Sequence, residues 1–125
     1  MFKAQVANAL GGAAEDRALQ GLLQRGLTLV QRNYRVARGP RARGGEIDLV
    51  MLERDGTLVF VEVRARSSTA RGGAAASVSG AKQRSLVFAA QHFLLRYAVP
   101  PPCRFDVVAI DGESMQWLRA AFDGG

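Results

Sequence analysis

Two apolar runs joined by a short turn constrain the fold of this chain more than any other feature. Residues 45–66 read GEIDLVMLERDGTLVFVEVRAR. Runs rich in valine, leucine, isoleucine and phenylalanine on either side of an Asp-Gly pair are typical of a β-hairpin. The sequence therefore predicts two antiparallel strands, at about 46–53 and 57–65.

Asp48 and Glu62 interrupt these apolar strands, and the length of the turn decides whether they meet. A two-residue loop at 55–56 would send the two side chains to opposite faces. A three-residue loop at 54–56, with Gly56 in the left-handed conformation, places Asp48 directly opposite Glu62. Side chains at such cross-strand positions lie about 5 Å apart. Two carboxylates that close repel each other unless a cation lies between them, and oxygen ligands favour Mg²⁺ or Mn²⁺ over zinc.

An alternative explanation of these acidic residues needs no metal. Asp48 could form an ion pair with Arg64, and Glu62 could pair with an arginine from the segment 32–43. Such buried ion pairs occur in many proteins and are weak evidence for any function. Glu15, near the start of a predicted helix, is a further acid that could join the site or merely favour the helix start.

The basic residues of the chain are concentrated before the hairpin. The chain carries 17 lysine and arginine residues against 11 acidic ones, a net charge of +6. Five arginines fall within twelve residues that contain no acid; they are Arg32, Arg35, Arg38, Arg41 and Arg43. Such a segment is usually a solvated face, but beside a metal site it would be a track for the phosphates of a nucleic acid.

The remaining segments predict an α/β domain with the order α-β-β-β-α-β and a short final strand or turn. We predict helices at about Ala13–Arg25 and Ser79–Ala98, strands at 27–36 and 103–110, and a proline stop at 100–102. All 125 residues form one domain, with flexible tails at 1–11 and 120–125 and a mobile loop at 67–77.

Composition excludes several other classes of protein. With 48% hydrophobic and 22% charged residues, the chain has the composition of a soluble globular domain. No apolar run reaches the roughly 18 residues that a membrane span needs, and the N-terminus lacks a convincing secretory signal. The single cysteine excludes an internal disulfide. We therefore expect a cytoplasmic protein.

Five segments together resemble the YraN-like family of uncharacterised bacterial proteins. They are GEIDLV, VFVEVRAR, RFDVV, and the helical segments AAEDRAL and AKQRSLVFAAQHFL. That family is similar to the restriction-endonuclease-like superfamily and to Holliday-junction resolvases. The resemblance covers about residues 12–108 and implies a restriction-endonuclease-like core with a mixed sheet flanked by helices.

The resemblance also implies an activity and a set of site residues. Asp48, Glu62 and the backbone carbonyl of Val63 would hold Mg²⁺ or Mn²⁺, and Glu15 matches an acid that some members add. The reaction would be hydrolysis of phosphodiester bonds in DNA, including branched DNA, by metal-activated water. Resolvases act as pairs of subunits, so a homodimer is expected by analogy.

Position 64 departs from the family pattern, which normally has lysine there. An arginine stays protonated, so Arg64 cannot act as a general base, although it can hold a phosphate. Lys82, in the first turn of the second predicted helix, is a candidate replacement, but an ordinary exposed lysine explains it as well. Arg66 and Lys82 complete the predicted nucleic-acid-binding residues. The leading hypothesis is a metal-dependent endonuclease; the alternatives are a non-catalytic nucleic-acid-binding domain and a protein-interaction module.

Overall fold

Five strands and two helices make up the fold. The structure is a computed structural model that describes the backbone of residues 2–40, 44–66 and 78–124, and the side chains of 12–40, 44–65 and 78–124. The elements are α1 (Phe2–Gln24), β1 (Thr28–Val36), β2 (Gly45–Leu52), β3 (Leu58–Arg66), α2 (Gly80–Leu94), β4 (Cys103–Asp111) and β5 (Ser114–Phe122). The predicted α-β-β-β-α-β order is confirmed, and β5 completes the sheet.

The strands form one mixed sheet in the order β1-β2-β3-β4-β5. Strands β3 and β4 are parallel and are connected through α2, whereas the other neighbouring strands are antiparallel. A parallel pair needs such a crossover connection, because a short turn cannot return the chain to the start of the neighbouring strand. β1 is an edge strand, which agrees with its many polar residues.

The sheet is covered by one helix on each face. Helix α1 buries Ala18, Leu19 and Leu22 against apolar residues of β2, β3 and β4. Helix α2 buries Leu86, Ala89, Ala90 and Phe93 against the opposite face. Because both faces are covered, the central strands are apolar at nearly every position, which is what the continuous runs in the sequence indicated.

The ends of the helices only partly agree with prediction. Helix α1 begins at Phe2 rather than near Ala13, so residues 2–11, predicted as a tail, lie within it. It ends as predicted, because Gly26 has a positive φ of 97° and the amide of Leu27 bonds the carbonyl of Leu22 at 3.1 Å.

Helix α2 starts where predicted and stops earlier. The Ser79 hydroxyl accepts a hydrogen bond from the Lys82 amide at 3.1 Å and thereby caps the helix. The helix ends at Leu94 instead of Ala98, and a tighter turn follows, in which the Tyr97 amide bonds the Leu94 carbonyl. Pro100 is therefore not the residue that ends α2.

The turn of the hairpin has the predicted three-residue form. The Glu53 amide bonds the Thr57 carbonyl at 2.9 Å, and Gly56 has a φ of 94°. Val50 pairs with Phe60, as the residue count required. The Asp-Gly turn thus sets the register of the two strands.

The termini and the loop after β3 complete the comparison. β5 is a nine-residue strand that includes residues 120–122, which were predicted as part of a tail. The loop predicted at 67–77 lies outside the described residues. Among the helices that the structure describes, none combines the length and the apolar character that crossing a membrane requires.

Candidate metal and nucleic-acid site

The backbones of strands β1 and β2 both rotate at one position, so that side chains before and after it face opposite sides of the sheet. Asp48 lies at this position in β2. Tyr34 and Ile47 are cross-strand partners that pack in the core beneath α2. Leu49, two residues after Ile47, packs in the core beneath α1. Residues two apart in a regular strand share a face, so the backbone must rotate between them. Asn33, which lies opposite Asp48 in this register, has the positive φ of 52° that such a rotation requires.

The rotation brings the Asp48 carboxylate between β2 and β3. Starting from the Glu53–Thr57 hydrogen bond, every second residue of β3 directs its backbone amide towards β2. The residue pairs described between the two strands end at Leu49–Val61. The next amide of β3 that faces β2 belongs to Val63, and Asp48 Oδ2 accepts its hydrogen bond at 2.8 Å. The predicted cross-strand pair of Asp48 and Glu62 is therefore not part of the ladder, because strict alternation fails at Asp48.

Glu62 is the charged residue of the site that is most shielded from water. Its side chain is 3% exposed, and its Oε2 atom lies 3.4 Å from Arg64 Nη1 and 3.6 Å from Lys82 Nζ. Its Oε1 atom is buried and has no hydrogen-bond partner among the described residues. A buried polar atom without a partner costs about 1–3 kcal/mol, so this oxygen is available to a ligand that the protein does not itself provide.

Burial and the neighbouring Asp48 carboxylate raise the pKa of Glu62 from 4.5 to about 8. The positive charges of Lys82 and Arg64 oppose this rise without cancelling it. At neutral pH the pair of carboxyl groups therefore holds a proton. A cation bound between them would displace that proton and stabilise both ionised groups.

Glu15 approaches Asp48 from the α1 side of the sheet. Its side chain is 18% exposed, and the Arg32 guanidinium contacts it at 3.4 Å and the Asp16 carboxylate at 2.8 Å. Burial and the Asp48 charge raise the pKa of Glu15, although Arg32 opposes this. Asp48 thus lies between two acids on opposite faces of the sheet, Glu15 towards α1 and Glu62 towards α2.

Helix α2 brings Lys82 to Glu62 because it packs unusually close to β2. A Cβ atom at Gly45 would lie 2.5 Å from the Ser85 carbonyl oxygen and 2.8 Å from the Ala89 nitrogen. The first turn of the helix consequently reaches the end of the hairpin strands. There Lys82 Nζ lies between Glu62 and Glu46, 3.8 Å from the latter.

The predicted site residues are only partly brought together. Asp48, Glu62, Val63, Arg64 and Lys82 converge, and Glu15 joins them through Asp48. In the described part of the chain, no group of three or more Asp, Glu, His or Cys side chains is arranged to hold a metal ion. The alternative without a metal predicted ion pairs of Asp48 with Arg64 and of Glu62 with an arginine of the segment 32–43. The structure instead places Arg64 and Lys82 beside Glu62.

The predicted basic track is divided among several partners. Arg32 pairs with Glu15 and Asp16, and Arg35 pairs with Glu46 at 2.8 Å. Arg38 lies over the Phe88 ring, 5.0 Å from its centre. Arg41, Arg43 and the side chain of Arg66 lie outside the described residues.

Sequence reasoning missed two residues with clear structural roles. Asn33 provides the backbone rotation beside Asp48, and an asparagine flanked by strand residues was the available signal, because asparagine tolerates positive φ. Asp106, within the RFDVV motif, is fully buried and accepts hydrogen bonds from Trp117 Nε1, the Ala120 amide and Arg104 Nε. It holds a bulge of β5 against β4 and lies on the strand next to the hairpin.

Comparison with known proteins gives one consistent family. The model of the uncharacterised protein family UPF0102 matches residues 14–110. A UPF0102 protein of Methylibium petroleiphilum is 69% identical over 115 residues, covering 92% of this chain and 94% of the relative. UPF0102 proteins of an Acidovorax species and of Paracidovorax citrulli are each 61% identical and cover 96% and 94% of this chain, and 89% and 84% of their own lengths.

Proposed function

The chain belongs to the uncharacterised protein family UPF0102, the YraN-like family that its sequence resembles, and we propose that it is a metal-dependent endonuclease acting on DNA. The observation that carries this proposal is the pair formed by Asp48 and Glu62. Two carboxyl groups from adjacent strands are held so close that one stays protonated at neutral pH, and a buried oxygen of Glu62 has no partner among the described residues. A divalent cation would satisfy both groups.

The donor set fits a hard cation. Asp48 and Glu62 provide carboxylate oxygens, and the backbone carbonyl of Val63 lies directly after Glu62 in β3. Oxygen ligands of this kind suit Mg²⁺ or Mn²⁺. When bound, such an ion lowers the pKa of a coordinated water and stabilises the charge that develops on a phosphate.

The basic residues of the site would bind and orient the phosphate. Arg64 is 36% exposed, so its guanidinium can donate two hydrogen bonds to a phosphate while it also contacts Glu62. Lys82 brings a second positive charge to the same carboxylate. Arg32 would hold Glu15 beside Asp48 on the α1 side.

Because Arg64 stands where the family pattern has a lysine, another group must act as the general base. Lys82 is the only lysine near Glu62 in the described chain, and its ammonium group is shared between Glu62 and Glu46. Held between these two acidic residues, Lys82 is placed to position a phosphate at the site. A second water or the substrate phosphate would then deprotonate the nucleophile. Gln83, beside Lys82, would only orient it.

A second candidate function follows from the same contacts. Arg64 and Lys82 both approach Glu62 Oε2, so a site that has exchanged its lysine for arginine could keep the fold and the basic surface without cutting. The protein would then be a nucleic-acid-binding domain. We propose a cytoplasmic location for either function, and a homodimer for the endonuclease, because cutting both strands of a junction takes two sites.

A cleavage panel separates the two functions. The purified protein is incubated with branched, linear and single-stranded DNA and with RNA, in Mg²⁺, in Mn²⁺ or in chelator. The endonuclease predicts cutting that needs the metal and disappears in Asp48→Asn and Glu62→Gln. An Asp55→Asn variant, in the hairpin turn at the opposite end of β2 and β3 from Glu62, is the matched control and should retain activity, because asparagine keeps the oxygen that accepts the Thr57 amide. Binding without cutting under every condition supports the second function. Cutting by Arg64→Lys alone would identify the arginine as the reason why the unmodified protein does not cut.

A further inference from the structure

A cavity of about 530 Å³ opens beside Lys82, between the segment after β1 and the first two turns of α2. Its volume falls in the range of about 300–1,000 Å³ that is typical of ligand sites. The described residues that line it are Arg38, Gly44, Ser79, Ala81, Lys82, Arg84, Ser85 and Phe88. Of these, only Arg38 and Lys82 were expected to contact nucleic acid.

The lining of this cavity is suited to an anion. Three of its described side chains are positively charged, two are hydroxyls, and none is acidic. The charges come from two separate elements, since Arg38 follows β1 whereas Lys82 and Arg84 belong to α2. Opposing cations on two walls attract an anion placed between them more strongly than a one-sided patch does.

Phe88 fixes one of these charges at the cavity wall. The Arg38 guanidinium lies 5.0 Å from the centre of the Phe88 ring, within the distance of a cation–π contact. A ring on the rigid helix therefore holds the side chain of a residue that follows the end of an edge strand. Because the guanidinium is already held, its side chain loses less conformational entropy when an anion binds. Its paired N–H donors also match the oxygens of a phosphate.

Lys82 connects the cavity with the carboxylate site. It lines the cavity and also lies 3.6 Å from Glu62 Oε2. A chain of phosphates that reaches Glu62 and Asp48 can therefore continue past Lys82 into the cavity, whose described lining carries no acidic side chain, while Glu46 beside Lys82 is paired with Arg35.

We propose that this cavity binds a phosphate of the nucleic-acid strand adjacent to the phosphate held at Asp48 and Glu62. The inference rests on the proposed function only in naming a nucleic-acid strand as the ligand. Arg38 and Arg84 are its principal contacts, Ser79 and Ser85 are hydroxyl donors, and Phe88 positions Arg38. The backbone of that strand would enter between α2 and the segment after β1.

The test measures binding and avoids hydrolysis. A short fluorescently labelled single-stranded DNA is titrated with the full chain in chelator, and its anisotropy gives the dissociation constant at several salt concentrations. Arg38→Gln and Arg84→Gln should each weaken binding about tenfold. Each should also reduce the slope of log affinity against log salt by about 0.7, the value for one lost phosphate contact to a single strand. Both arginines are exposed, so these variants should keep the fold, which circular dichroism verifies.

Arg54→Gln is the matched control, because Arg54 is an exposed arginine in the hairpin turn, at the opposite end of β2 and β3 from Glu62. It removes the same charge and should change affinity by less than about twofold. If Arg54→Gln loses as much affinity as the cavity variants, or if the cavity variants bind like the unmodified protein, the proposal is overturned. Thymidine monophosphate as competitor distinguishes the sources of phosphate, since displacement at equal nucleotide concentration would identify a free nucleotide and reject the strand.

Failure of this proposal is separable from failure of the proposed function. Weaker binding in Arg38→Gln and Arg84→Gln supports the cavity even if the cleavage panel shows no cutting. Conversely, metal-dependent cutting that requires Asp48 and Glu62, together with unchanged binding in both arginine variants, rejects the cavity and leaves the endonuclease standing.

Discussion

Replacing Glu62 with glutamine removes the group whose ionisation the fold opposes most strongly. The side chain is 3% exposed, and burial together with Asp48 raises its pKa from 4.5 to about 8. Between these two pH values the folded protein holds a proton that the unfolded chain has released. The free energy of unfolding must therefore be highest below about pH 4.5, as far as this group is concerned, and must fall as the pH rises towards 8.

The size of the effect follows from the two pKa values. Each tenfold difference in proton affinity corresponds to about 1.4 kcal/mol, so the difference between 4.5 and about 8 corresponds to at most about 5 kcal/mol. The proton is shared with Asp48, so the loss belongs to the pair of groups. Between pH 5 and pH 8.5, the free energy of unfolding of Glu62→Gln should rise by at least about 2 kcal/mol relative to that of the unmodified protein.

Urea unfolding followed by the fluorescence of Trp117, in chelator at pH 5, 7 and 8.5, measures this difference. Comparing variant with unmodified protein at each pH cancels the contributions of other titrating groups, and Glu113→Gln, an exposed acid in the β4–β5 turn, is the control. Mg²⁺ should restore stability at pH 8.5 in the unmodified protein alone. If Glu62→Gln is instead the less stable protein at pH 8.5, Glu62 is ionised and held by Arg64 and Lys82, and the argument for a cation is wrong.

Three further predictions test how the fold positions the site. Gly45→Ala should lower the free energy of unfolding by about 2–3 kcal/mol, because its Cβ would meet the α2 backbone at 2.5 Å; Gly12→Ala, with no atom within 4 Å, should be neutral or stabilising in the same urea assay. Asp106→Asn should cost about 2–4 kcal/mol and shift the Trp117 emission, because the buried carboxylate accepts the indole N–H; unchanged emission would contradict that contact. Asn33→Gly should keep stability within about 1 kcal/mol, whereas Asn33→Val should lose about 1–3 kcal/mol, since φ is 52° there; equal losses would show that the backbone rotation is not needed.

The sequence was sufficient where the physics is local. The turn around Asp55-Gly56 has few conformations compatible with a right-handed hairpin twist, and Gly56 takes the positive φ that the three-residue loop requires. Once the turn is set, counting outward gives the register, and the pair Val50–Phe60 is found where it was predicted. The start of α2 beside Ser79 and the end of α1 before Gly26 also depend on local chemistry, and both lie within one residue of the predicted bounds.

The sequence was insufficient where a side chain is placed by distant elements. Strict alternation predicted Asp48 and Glu62 as neighbours on one face, but the rotation at Asn33 and Asp48 places the Asp48 carboxylate between the strands, on the Val63 amide. That rotation depends on pairing between β1 and β2, which no short sequence pattern encodes. The start of α1 and the end of α2 were also misjudged, since α1 begins at Phe2 and α2 ends at Leu94, six residues before Pro100.

The amino-acid sequence by itself determined the order of elements, the hairpin and its register, and the presence of two acids and many arginines near it. Only the tertiary structure decided that Lys82 lies beside Glu62, that Arg38 and Arg84 face one cavity, and that Asp48 lies between Glu15 and Glu62. The physical reason is the range of the interactions. Turn geometry and alternating burial act over a few residues. The contacts of Lys82 and the cavity depend on helix α2 packing against the backbone at Gly45, about 40 residues away along the chain, and the position of Asp48 depends on β1 and α1.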